Sequence, residues 1–86
     1  MNTPSRTREV LIASAFFPAN PCNTGAYVRR TYALVPGGSR KASGFISRAY
    51  QGEQIIATGT GDADFAADFA LRDALNTLRN SQRAAA

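Results

Sequence analysis

Few side chains in this sequence could do chemistry. Asp62, Asp64, Asp68 and Asp73 gather in one stretch, Cys22 is the only cysteine, and the 86 residues contain no histidine. Without imidazole the usual general base is missing, as is the partner that activates a serine or cysteine nucleophile. Zinc or ferrous sites need imidazole or several thiolates, and these are absent too. The four aspartates fall where a helix is expected, and capping and solvation account for them. The expectation is a protein that is not an enzyme, with no catalytic residue, no metal ligand and no cofactor.

The chemistry that does remain is arginine chemistry. Ten Lys+Arg against six Asp+Glu give a net charge of +4, and Lys41 is the only lysine. Guanidinium groups suit two-point contacts with phosphate or carboxylate. Arg29, Arg30, Arg40, Lys41 and Arg48 come from two neighbouring segments and their connection, and are candidates to bind a nucleic acid or an acidic partner. Tyr27, Tyr32 and Tyr50 lie among them and could stack on bases. A charge of +4 is equally what keeps a small domain soluble.

The elements that must hold these residues are legible from breakers and periodicity. Residues 1–8 are polar, contain Pro4 and read as a flexible arm. Residues 10–17, VLIASAFF, are the most apolar run, too short to span a membrane or to serve as a signal peptide. The run reads as a strand or a short helix docked on the core. Residues 18–25 hold two prolines, two asparagines and a glycine, and so form a loop. Residues 26–35 are rich in β-branched and aromatic residues and read as a strand, with 42–50 as the return strand of a hairpin around Pro36-Gly37-Gly38. Gln51-Gly52-Glu53-Gln54 then turns the chain into a third strand ending in Gly59-Thr60-Gly61. The predicted fold is α+β: a three-stranded antiparallel meander, with a fourth strand or short helix from residues 9–17, packed against one long C-terminal helix. A single domain is expected over residues 9–80, with a flexible tail at 81–86. One cysteine permits no internal disulfide, which makes a reducing cytoplasm the simplest compartment.

The helix starts near Asp62 or Asp64, whose carboxylates can cap it and meet its positive end. At 100° per residue, Ala67, Ala70, Leu71, Ala74, Leu75 and Leu78 share one arc, the face a sheet would cover. Asp68, Arg72, Asn76 and Arg79 fall opposite, and Asp68 with Arg72 has the i, i+4 spacing of a surface ion pair. Phe65 and Phe69 do not join the leucines. Either residues 10–17 fold back over them, or they are exposed and anchor a partner together with Arg72.

From residue 31 to 78 the order of parts resembles a double-stranded-RNA-binding domain. The likeness is carried by Thr31-Tyr32, Pro36-Gly37-Gly38, Gly44-Phe45, Gly59-Thr60-Gly61, and Ala66, Ala70, Ala74-Leu75 and Leu78. That family places lysines at the start of this helix and a histidine in the loop between its first two strands. Here the helix positions hold Ala63, Asp64 and Ala67, no histidine exists, and only Arg40 and Lys41 keep a basic loop. The resemblance implies the shape and argues against that family's RNA contacts. Residues 52–78 are also similar in layout to small phage-encoded inhibitors of CRISPR immunity, which occlude a protein or nucleic-acid surface. That likeness implies a non-catalytic interaction module whose partner belongs to a bacterial immunity complex. Nucleic-acid binding through the basic hairpin is the alternative. The meander's open edges allow a homodimer, and no membrane association is expected.

Overall fold

The computed structural model describes residues 6–19 and 25–85. Among them, strands β1 (Arg8–Phe17), β2 (Tyr27–Val35), β3 (Gly44–Gln51) and β4 (Gln54–Gly61) precede one helix, α1 (Asp64–Ala85). The four strands form one antiparallel sheet in the order β1-β2-β3-β4, so the fold is α+β. Residues 10–17 thus belong to a strand and supply the sheet's first edge. The expected flexible arm is described only from Arg6, and Cys22 with most of its loop lies outside the described residues.

The turns are set by glycine where the backbone leaves the region side chains favour. Gly38 has φ +81° in the β2–β3 turn, where Ser39 N–H donates to the Pro36 carbonyl at 3.1 Å. Gly52 has φ +63° in the tight β3–β4 connection. Both values are costly for a residue carrying Cβ.

Register decides which residues meet the helix. Thr31 pairs with Ser47 and Ser47 with Gly59; Ala33 pairs with Phe45 and Phe45 with Gly61. These rows lie on the helix side of the sheet, where Ala33, Val35, Ala49, Ala67 and Leu71 form the buried core. Small residues on both layers let the backbones come close. A Cβ placed on Gly59 would stand 2.1 Å from the Leu71 nitrogen, and one on Gly61 would stand 2.7 Å from the Ala67 nitrogen. The Gly-x-Gly step is therefore the seat on which α1 rests.

The helix packs on β4, β3 and β2, and its backbone does not approach that of β1. It starts at Asp64, whose Oδ1 accepts from the Phe65 N–H at 2.7 Å. It runs on to Ala85 rather than stopping at Asn80, so helix replaces most of the expected tail. Residues 81–85 contain no glycine or proline, and alanine, glutamine and arginine are strong helix formers. No helix among the described residues is long and apolar enough to cross a membrane.

On the other side of the sheet, Arg48 donates two parallel hydrogen bonds to Glu9, Nη1 to Oε1 at 2.7 Å and Nη2 to Oε2 at 2.6 Å. This two-point pair ties the start of β1 to β3. The hydrogen bond from Arg48 holds the Glu9 carboxyl below its ordinary value, and the same bond raises Arg48. A depressed carboxyl stabilises the fold above its unfolded pKa, and that contribution is lost as pH falls through the folded value. Because the pair is partly exposed, Glu9→Gln should cost only about 0.5 kcal/mol at neutral pH. In urea titrations, the gap between wild type and variant should narrow as pH falls below the ordinary carboxylate range and through the depressed Glu9 value.

Candidate partner-binding site

The helix-side surface beyond α1 is where the unusual side chains converge. Phe65 and Phe69 stand one turn apart on the flank of the helix beside Arg29 of β2. Their rings meet edge to face, with centroids 6.5 Å apart and planes at 83°. Both are exposed, at 64% and 57%. Of the two arrangements open from the sequence, β1 folding over the rings is therefore not the one adopted. The sheet carries β1 to the far side of β2, and its backbone does not come close to that of the helix. Arg72 follows on the same flank, its guanidinium 5.4 Å over the Phe69 ring. The three residues expected to form a partner site are brought together, and with Arg29 and Asp68 they line an open hollow of about 190 Å³.

Below that hollow the sheet supplies a second aromatic pair. Phe17 of β1 and Tyr27 of β2 are register partners, stacked 4.8 Å apart at 12°. Arg29 lies 5.5 Å over the Phe17 ring. These residues, with Asp68, Leu71, Arg72 and Leu75, line a smaller cavity of about 70 Å³. The floor of the site thus alternates flat apolar rings and guanidinium groups, an arrangement in which the ring faces attract the cations.

Asp68 is held from beneath. Thr31 donates to its Oδ1 at 2.9 Å and Ser47 donates to the same oxygen at 2.5 Å, with Thr31 and Ser47 hydroxyls 3.0 Å from each other. Arg29 Nη1 lies 3.8 Å from Oδ2. The expected surface pair of Asp68 with Arg72 is not formed. Two hydroxyls from adjacent strands sit directly under the carboxylate and compete better than a solvated arginine one turn away, and Arg72 turns to Phe69. Thr31 and Ser47 are fully buried, and Asp68 is what satisfies them. The Nε of Arg29 is buried without a hydrogen-bond partner.

The basic hairpin residues are divided rather than gathered. Arg29 is on the helix side, while Arg30 and Arg48, register partners of each other, lie on the opposite face. There Arg30 sits 5.0 Å over the Tyr50 ring and Arg48 sits 5.3 Å over Tyr32. The two phenol oxygens are 3.3 Å apart. That hydrogen bond to Tyr50, aided by burial, raises the Tyr32 hydroxyl above its ordinary value. Arg40 and Lys41 are exposed in the β2–β3 connection. Among the described residues, no three His, Cys, Asp or Glu side chains gather closely enough to hold a metal ion.

Sequence reasoning missed Phe17, its stack with Tyr27, and the inward role of Asp68; Tyr27 itself was a candidate only for stacking on bases. The signal was available in part: Thr31 and Ser47 are polar residues at core-facing positions, and such residues call for a buried partner. No protein-family model, no curated protein and no solved structure matches the chain.

Proposed function

We propose that this protein is a non-catalytic interaction module that binds a protein partner on the Phe65/Phe69 flank of its helix. One observation carries the reading: two phenylalanines of a small domain stand more than half exposed, side by side, next to Arg72 and above Arg29. Full burial of a phenylalanine is worth about 1.5–3 kcal/mol, and each exposed ring forgoes the larger part of it, which a partner would recover. Clustered aromatic and arginine side chains around a hollow are the composition of an interface hot spot. The partner class we favour is a component of a bacterial immunity complex whose working surface the domain occludes.

The variant carrying Phe65→Ser and Phe69→Ser tests this. It should stay folded, with stability within about 0.5 kcal/mol of wild type, since exposed positions rarely contribute more. It should no longer retain proteins that immobilised wild type draws from a bacterial lysate. In cells with active CRISPR immunity, wild type should restore phage plaquing and the variant should not. A folded variant that retains the same partner would sink the reading.

A second reading rests on the opposite face, where Arg30 and Arg48 cover Tyr50 and Tyr32. Aromatic rings interleaved with guanidinium groups on an open sheet can hold single-stranded nucleic acid. Such binding must weaken steeply with salt. Titration of labelled single strands and duplexes in low salt decides it, and no binding there removes it.

A further inference from the structure

We propose that the protein is a two-fold homodimer joined through its β1 strands, with Arg8 opposite Phe17 of the second copy. This rests on the edge of the sheet and is independent of the partner proposed for the Phe65/Phe69 flank.

The two sheet edges are unequal. The last strand, β4, is seated under the helix and bounded by Glu53 and Asp62. At the other edge β1 runs for ten residues with no charge after Glu9. Val10, Leu11, Ile12 and Phe16 are all exposed on it. A long apolar edge with neither covering helix nor charge offers free backbone N–H and C=O groups to another strand.

Self-pairing must satisfy one geometric condition. Residues opposite each other across a strand pair point to the same face, so a two-fold axis through a regular strand permits only registers in which the two residue numbers sum to an even value. In β1 the register against β2 slips between Leu11 and Ala13, leaving Ile12 as the extra residue. Arg8 and Val10 before the slip, and Ala13, Ala15 and Phe17 after it, all take the helix side, as their partners Val35, Ala33, Thr31, Arg29 and Tyr27 show. The slip reverses the condition, so that odd sums now match face to face. The register that uses the whole strand then sets Arg8 against Phe17, Glu9 against Phe16, Val10 against Ala15 and Leu11 against Ser14. Each of these pairs shares a face, and at the axis each Ile12 stands opposite Ala13 of the second copy.

Charge permits the same register. The strand's only ionisable side chains, Arg8 and Glu9, are at one end, so the two copies' Arg8 residues stand about 30 Å apart along the joined strands. Each guanidinium is brought instead to the Phe17 ring of the other copy, beside the stack that Phe17 forms with Tyr27. The sheet becomes continuous across two copies of four strands. Both helices lie on one side of it, their Phe65/Phe69 flanks facing each other over the joined β1 strands.

Sedimentation equilibrium should give twice the 9.2 kDa chain mass, and Leu11→Lys, which places two lysines near the axis, should reduce it to the monomer with its circular dichroism unchanged. Register is read by cysteine pairs in a Cys22→Ser background. Val10→Cys with Ala15→Cys should form an intermolecular disulfide on mild oxidation, whereas Glu9→Cys with Ala15→Cys should not. Within one chain positions 10 and 15 are about 17 Å apart, too far to bridge each other. A monomer at all concentrations, a dimer indifferent to Leu11→Lys, or crosslinking in the control pair instead would each overturn the proposal.

Discussion

Replacing Gly59 with alanine should destabilise the protein by about 3 kcal/mol or more. The added methyl would stand 2.1 Å from the Leu71 nitrogen, 2.6 Å from the Ala67 carbonyl oxygen and 2.6 Å from the Ala70 carbonyl carbon. All three are helix backbone, so no side chain can rotate away. The helix must lift as a body, and its contacts with β3 and β2 loosen with it. Gly38→Ala separates this from backbone strain. Nothing lies within 4 Å of a Cβ there, while φ is +81°, so only the left-handed conformation is penalised, by about 1–2 kcal/mol. Urea denaturation should place the Gly59 variant's midpoint well below that of the Gly38 variant. Equal midpoints would mean that helix and strand can separate without loss.

The second large effect belongs to Asp68. Asp68→Ala removes the acceptor of two buried hydroxyls and the carboxylate beside Arg29. Hydrogen bonds to a charged group contribute about 1.5–3 kcal/mol, and an orphaned buried donor costs about as much again as an ordinary bond is worth. Thr31 and Ser47 can still bond to each other, so one of the two hydroxyls keeps a partner. We expect a net loss of about 2–3 kcal/mol. Adding Thr31→Val and Ser47→Ala should recover at least half of it, because a site emptied of polar groups has nothing left unsatisfied. A triple variant no more stable than Asp68→Ala would show that the carboxylate acts through Arg29 alone.

The elements of the fold were readable because each carries its own local signal. The Pro36-Gly37-Gly38 and Gln51-Gly52-Glu53-Gln54 turns bound segments of strand composition, and the Ala/Leu arc of α1 follows an acidic cap. Residues 10–17 were ambiguous because eight residues are too few for periodicity to separate strand from helix. Pairing with β2 decided it, and that is a tertiary fact. The site divides in the same way. Phe65, Phe69 and Arg72 could be placed on one flank from helical spacing alone. That the flank stays open depends on where the sheet carries β1, which no local pattern encodes. Arg29 and Arg30 illustrate the pleat: neighbours in sequence, they end on opposite faces, so a basic cluster in the chain is not a basic cluster in space. Asp68 was assigned to the solvent side because a helix projection knows nothing of the two hydroxyls beneath it.

The small-residue layer between helix and sheet sets an asymmetry in how this protein can vary. Its buried apolar positions are Ala33, Val35, Ala49, Ala67 and Leu71, and at most of them little can be taken away. Most domains are hurt chiefly by truncation, which leaves a void where a large side chain stood. Among the described residues Leu71 is the largest buried apolar side chain, and that mechanism has its fullest scope there. At Gly59 and Gly61 injury comes from growth instead: an added Cβ would run into the helix. Sequences that keep this fold should therefore drift freely in the size of their exposed residues. Along the row where α1 crosses β4, they should hold to alanine and glycine.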